Sequence, residues 1–198
     1  MTTNSSALMP GALAGEEAST AGPKTLSATD FRGIFRRHPA GVTVVTADAG
    51  SGPVALTATS VASMSADPPL LIFSVSSLSS SARVLKDSDT VVVHFIDPES
   101  LDVAKLGATS GVDRFADTSI WSRLPTGEAI FHNVRTWIRA RVVNRLEASG
   151  STIFIAQAIQ ASHSAEQLDE QPERDGLVFM NRTWHRIGED STVAEPSN

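Results

Sequence analysis

Two long runs of β-type sequence, about Val134 to Glu147 and Thr152 to Ser162, are separated only by Ala148-Ser149-Gly150-Ser151. A link of a few small and polar residues is a hairpin-like turn, whereas parallel strands need a crossover of a dozen residues or more. Shorter runs surround this pair. Val42 to Thr46, Val54 to Ala58, Leu70 to Val75 and Thr90 to Ile96 read as strands, the first two joined by a turn at Asp48 to Pro53 with two glycines. Leu177 to Met180 and Thr183 to Ile187 read as a closing hairpin around Asn181-Arg182. Many strands, frequent turns and no alternation with long helices predict a mainly β fold, a closed or nearly closed antiparallel barrel with a few short helices.

Three helices are expected. Ser27 and Asp30 form a start signal, after which Phe31, Ile34 and Phe35 fall on one face, and Pro39 and Gly41 end the run. Ser79 to Lys86 reads as a short helix with a serine cap. Asp97-Pro98-Glu99 opens a third that runs to about Leu106. Residues 107–130 read as loop-rich, and Ser164 to Gly176 as a loop or short helix. The Ala-, Gly-, Ser- and Thr-rich residues 1–25 are expected to be a disordered leader and 189–198 a flexible tail, leaving one domain over 26–188.

Bulk properties narrow the function. The net charge of −6 gives no general pull on nucleic acid. With no cysteine there is no thiolate site, cysteine nucleophile or disulfide. No stretch reaches the length of a membrane span and no signal peptide is evident, so a cytoplasmic protein is expected. The five histidines show no metal-ligand spacing, and no metal site is expected. Nucleophile-elbow, Rossmann and Walker A motifs are also missing.

What remains is a hydroxyl-rich run. Thr57, Thr59, Ser60, Ser63 and Ser65 fall within nine residues and lead through Asp67-Pro68-Pro69 into an apolar strand. They offer short donors beside accessible backbone, which suits a polar, planar, phosphorylated ligand; a polar barrel edge would use the same residues. Ser76-Ser77-Leu78-Ser79-Ser80-Ser81-Ala82-Arg83 follows. Serines opening a helix with an arginine in its first turns suit a phosphate, and equally serve as ordinary caps. His94, on an apolar strand, reads as a satisfied core histidine rather than a ligand.

The ordered set of segments resembles the flavin reductase-like domain family. It comprises Phe35-Arg36-Arg37-His38-Pro39-Ala40-Gly41-Val42-Thr43-Val44-Val45-Thr46, then Leu56 to Ser65, Asp67-Pro68-Pro69, Ser81-Ala82-Arg83, Val91 to Phe95, Asp113-Arg114-Phe115 and Asn181-Arg182-Thr183-Trp184. The resemblance covers about residues 27–187. It implies an FMN-binding split β-barrel, usually a homodimer, that transfers hydride from NADH or NADPH to FMN or FAD and supplies reduced flavin to a partner monooxygenase. It places Thr57, Thr59, Ser60, Val61, Ala62, Ser63 and Met64 at the isoalloxazine and ribityl chain, and Ser76, Ser81, Ala82 and Arg83 on the phosphate side. Phe115 and Trp184 become aromatic borders of the pocket. No catalytic acid or base is implied. One departure stands out: the family often has Gly-Asp-His where this chain has Gly150-Ser151-Thr152. The missing histidine leaves a non-catalytic flavin carrier or sensor as the alternative. A pyridoxamine-phosphate oxidase type of split barrel is disfavoured by the Asp-Pro-Pro segment and the serine pattern.

Overall fold

The computed structural model describes residues 25–194. In chain order the elements are α1 (Ala28–Arg36), β1 (Ala40–Gly41), β2 (Thr43–Asp48), β3 (Pro53–Ala58), β4 (Ala62–Ala66), β5 (Pro69–Ser76), α2 (Ala82–Asp87) and β6 (Thr90–Phe95). A 3-10 turn at Pro98–Ser100 leads into α3 (Leu101–Ala108). Then come β7 (Trp121–Arg123), β8 (Ala129–Phe131), β9 (Thr136–Ala148), β10 (Ser151–Ala161), α4 (Ala165–Asp169), β11 (Gly176–Met180) and β12 (Thr183–Ile187).

The long hairpin forms the spine. β9 and β10 pair antiparallel from Ala148↔Ser151, so the loop is two residues, Ser149 and Gly150, both with positive φ. That left-handed pair matches the strand twist, and glycine takes such a φ without penalty. The seven-stranded sheet runs β3-β2-β6-β9-β10-β5-β4, every pairing antiparallel. Val45, Leu56, Phe73, Val93, Ala140 and Phe154, from six of its strands, pack into one apolar cluster. Phe73 and Phe154 stack there at 4.8 Å between centroids. The sheet therefore curls around its own inner face. Beyond β3, Ser60 Oγ donates to Ser74 O on β5 and accepts from Ser74 N, tying the two ends of the curl together. A second cluster, including Val44, Val103, Phe115, Phe131 and Leu177, packs α3, β8 and β11 against the other side of β2.

Several elements depart from the sequence reading. Ala62–Ala66 has little β propensity, yet it forms an edge strand because a two-residue turn at Asp67-Pro68 folds it back on β5. The loop-rich stretch 107–130 contains β7, which pairs with β8; three-residue strands are too short to show a period. The second helix starts at Ala82 rather than Ser79, since Ser81 does not cap it: its buried hydroxyl donates to Ala55 O at 2.9 Å. Helix α1 forms with Ser27 capping Asp30 N, and its Phe31, Ile34 and Phe35 remain more than half exposed. The expected leader lies outside the described residues apart from Thr25. The expected tail begins as a 3-10 turn, Glu189–Ser191, and its last four residues lie outside the described ones.

His94 sits in the interior with both ring nitrogens bonded. Nδ1 lies 3.0 Å from Val44 O and Nε2 accepts from Phe131 N at 3.3 Å. That pattern requires the neutral Nδ1–H tautomer. Burial pushes the imidazole pKa down to about 4, against a smaller opposing pull from the backbone bonds. The expectation of a satisfied core histidine holds.

Candidate flavin site

The hydroxyl-rich run forms one wall of a cavity of about 620 Å³. Thr57, Thr59 and Ser60 face Ser74 and Ser76 of β5 and then Ser79 and Ser80 of the following turn. The far side is Gly107 and Ala108 at the end of α3, Ser110, Gly111 and Arg114. Cavities of this size hold cofactors. Arg114 is the one cation in the lining and no carboxylate is present.

Several of these hydroxyls are already engaged by the fold. Thr57 Oγ1 donates to Ala104 O at 2.6 Å, locking β3 to α3. Ser60 is engaged with Ser74. Ser76 and Ser79 accept from Leu78 N and Ser81 N, which leaves each hydroxyl proton to donate elsewhere. Thr59, Ser80 and Ser110 make no side-chain bond among the described residues, and the backbone N–H groups of Thr59 and Ser60 have no partner among them. The free donors thus lie between the β3 end and the serine turn.

Two residues fix the α3 side. A Cβ on Gly107 would stand 2.5 Å from Thr57 Oγ1 and 3.0 Å from Thr57 N, so only glycine lets the helix approach β3 this closely. Arg114 donates from Nε to Gly107 O at 3.2 Å and from a terminal nitrogen to Thr109 O at 2.7 Å. Its charge is thereby held at the C-terminal end of α3 and at the cavity edge.

A cavity of hydroxyls and free amides with one pinned cation and no acid suits a flat, hydrogen-bonding group bearing a phosphate. Residues 35–188 match the model of the flavin reductase like domain. The chain belongs to that family. An NADH:FMN oxidoreductase of Rhodococcus erythropolis is 38% identical over 161 residues, covering 81% of this chain and 82% of that protein. Among solved structures, the Streptomyces globisporus C-1027 NADH:FAD oxidoreductase SgcE6, in complex with NAD and FAD fragments, superposes with TM-score 0.72 at 26% identity, covering 86% of this chain and all of that one. BorF, the flavin reductase component of a bacterial two-component tryptophan halogenase, gives 0.70 at 26% identity over 82% of this chain and 99% of its own.

Within this flavin reductase-like domain the expected site residues are dispersed. Thr57, Thr59, Ser60 and Ser76 share the cavity. Val61, Ala62 and Ser63 line a neighbouring apolar cavity of about 310 Å³ with Leu70, Leu71 and Phe95, and Met64 beside them is 55% exposed. Ser81 and Ala82 are buried behind the serine turn, and Arg83 is exposed outside the cavity lining. Phe115 stacks on Phe131 and meets Trp121 edge-on in the second core cluster. Trp184 pairs across the closing hairpin with Phe179, 4.7 Å between ring centroids.

Sequence reasoning passed over Ser74, Ser80, Gly107, Ser110 and Arg114 as site residues. Arg114 carries a usable signal in the sequence, its place in the Asp113-Arg114-Phe115 segment. Ser74 lies inside an apolar strand, and nothing local marks it. At the Gly150-Ser151-Thr152 turn no histidine faces the cavity. Thr152 is buried and donates to Glu147, while Gly150 O accepts from Ser77 N. His163 bonds Ser162 and is also absent from the lining.

Proposed function

We propose that this chain is an NAD(P)H-dependent flavin reductase that acts on FMN or FAD held in the hydroxyl-lined cavity. The observation that carries the reading is the joining of Thr57, Thr59, Ser60 and Ser76 with Arg114 around one acid-free cavity, in a chain of the flavin reductase-like family. Ser76, Ser79, Ser80 and Arg114 would hold the phosphate by hydroxyl donors and a fixed guanidinium. The amides of Thr59 and Ser60 and the segment Val61 to Met64 would meet the ring edge. Ser81 and Ala82 pack behind the serine turn, while Phe115 belongs to the second core cluster, Trp184 packs against it, and both lie outside the lining.

Bound flavin supplies the chemistry, accepting a hydride from NADH or NADPH. The protein's work is positional. The Thr59 and Ser60 amides would stabilise negative charge on a ring held against them. The lining holds no acid or base, and direct hydride transfer needs none. The cavity is only partly enclosed, which suits a flavin that leaves as product.

The same reading includes a homodimer, a monooxygenase partner that receives reduced flavin, and a cytoplasmic setting where NAD(P)H is supplied. Among the described residues no helix is long and apolar enough to cross a membrane. Leu146, Val143 and Ile159, exposed on β9 and β10, are the candidate dimer surface. The test is to add FMN or FAD to the purified protein and follow NADH and NADPH absorbance under air. Oxidation well above the free-flavin background supports the reading. Background rates with both donors sink it, and tight flavin binding with background rates selects the carrier or sensor.

A further inference from the structure

The serine turn that carries the proposed phosphate donors is pinned at both ends. It leaves β5 at Ser76, which pairs with Ser151 of β10, and Ser77 N donates to Gly150 O in the loop of the long hairpin at 2.9 Å. Four residues on, the Ser81 hydroxyl donates to Ala55 O of β3 at 2.9 Å. Leu78, Ser79 and Ser80 lie between these pins, and all three line the flavin cavity. Within the turn, Ser79 N donates to Ser76 O at 2.9 Å and Ala82 N to Ser79 O at 3.0 Å.

Of the two pins, Ser81 is the one made by a side chain. Ser81 is 1% exposed and lies outside the cavity lining, so its hydroxyl serves the turn and not the ligand. Its acceptor sits on β3 just ahead of Thr57 and Thr59, the opposite wall of the cavity. β3 is the end strand of the seven-stranded sheet and pairs with β2 alone. The same strand is locked to α3 by Thr57 Oγ1 on Ala104 O, and Arg114 is held by Gly107 O of that helix. β3 is therefore the common reference for both sides of the phosphate end. Ser81 ties the hydroxyl donors to it, and Thr57 ties the helix that fixes the cation. Ala82 and Leu85 pack into the core and keep α2 docked as a body, whereas a directional bond at the start of the helix sets the placement of the turn before it.

We propose that Ser81 is a positioning residue for the flavin phosphate: its buried hydroxyl holds Ser79 and Ser80 at a fixed spacing from Arg114 across the cavity. Small displacements of binding groups cost affinity steeply, so a bond that never touches the ligand controls how well the ligand is gripped. The proposal rests on the reading of this cavity as the flavin site, and its test is a binding measurement that needs no turnover.

The test is the ratio of FMN to riboflavin affinity, read by flavin fluorescence quenching on the full chain. Ser81→Ala should weaken FMN binding about fivefold and riboflavin binding less than twofold, because riboflavin has no phosphate. In turnover the KM values should split in the same way at unchanged kcat. The thermal midpoint should fall by about 2–4 °C for the loss of one buried bond. Thr46→Val is the control. Thr46 is fully buried and donates to Ala129 O at 2.7 Å, away from the lining, so its loss should lower the midpoint similarly and leave the flavin ratio within twofold. In a chain already carrying Ser79→Ala and Ser80→Ala, adding Ser81→Ala should cost FMN less than twofold more, since the donors it places are gone. Hydrogen exchange on the unaltered, flavin-free chain needs no variant: the Ser77, Ser79 and Ala82 amides should be protected before flavin is added. Unchanged FMN affinity in Ser81→Ala, equal weakening of both flavins, the full loss in the double-alanine chain, an equal ratio change in Thr46→Val, or turn amides unprotected without flavin overturns the proposal. So does an unaltered chain that binds FMN no tighter than riboflavin. Tighter FMN binding with only background NAD(P)H oxidation counts against the reductase reading alone, since the affinity ratio still decides this one.

Discussion

Thr57 Oγ1 donates to Ala104 O and lies 2.5 Å from where a Cβ on Gly107 would stand, so this hydroxyl belongs to the fold as much as to the cavity. The same division runs through the whole hydroxyl segment. Thr59 and Ser80 remain open, and Arg114 supplies the charge. Replacing Arg114 with alanine should weaken FMN binding about tenfold by fluorescence quenching, the loss of one charge-assisted partner. Arg83→Ala, outside the lining, should change it less than twofold. Equal effects would return the phosphate to α2. His94 gives a pH test. Its folded pKa, about 4, lies below the ordinary 6.5, so between these values the unfolded chain binds more protons. Stability should therefore be fully present above about pH 6.5 and decline as pH falls toward 4, by at most about 1.4 kcal/mol per pH unit. Urea midpoints at pH 7, 6 and 5 measure this, and flat midpoints would contradict the buried neutral tautomer.

At the scale of elements, the contact between α3 and β3 sets the cavity's depth. Gly107→Ala should destabilise the fold by about 1–3 kcal/mol, since the added Cβ would meet Thr57 Oγ1 and the β3 backbone at Leu56 and Thr57, and that backbone cannot move aside as a flexible side chain can. The same change should raise the FMN dissociation constant; unaltered stability would mean that α3 shifts freely. Glu128, just before β8, receives Thr90 of β6 at 2.5 Å and Arg139 of β9 at 2.7 Å. Burial raises its pKa, and the bonds from Thr126, Thr90, its own backbone and Arg139 outweigh this, leaving it at about 2. Glu128→Ala should cost about 3 kcal/mol by leaving Arg139 half-buried without its partner. A chemical-denaturation midpoint within error of the parent would show that the pair is only superficial. The long strands and their two-residue hairpin were legible in sequence because their β-branched runs are long and their turn residues are specific. β4, β7 and β8 were not, because an edge strand of alanines and serines and a three-residue hairpin take their shape from the partner they pair with.

At the scale of the molecule, the curl of one antiparallel sheet brings Ser60 to Ser74 and thereby sets the hydroxyl run against the serine turn. The sequence showed that both segments were polar and close in the chain. It could not show that α3 closes the cavity, because Gly107 meets Thr57 from about fifty residues along the chain and Arg114 is fixed only by the end of that helix. Nor did it separate the cavity of Thr57 and Ser76 from the apolar one beside Val61 to Ser63, a distinction made by the direction in which β4 leaves the β3 end. The central claim is that this hydroxyl-lined cavity grips the flavin by its phosphate for hydride transfer. The most direct measurement compares FMN with riboflavin as acceptor for NADH, in the unaltered chain and in Arg114→Ala. The account predicts a lower KM for FMN than for riboflavin in the unaltered chain and near-equal values in the variant, with kcat on riboflavin unchanged. Equal KM values for the two acceptors in the unaltered chain, or an FMN preference that survives the loss of Arg114, would contradict it.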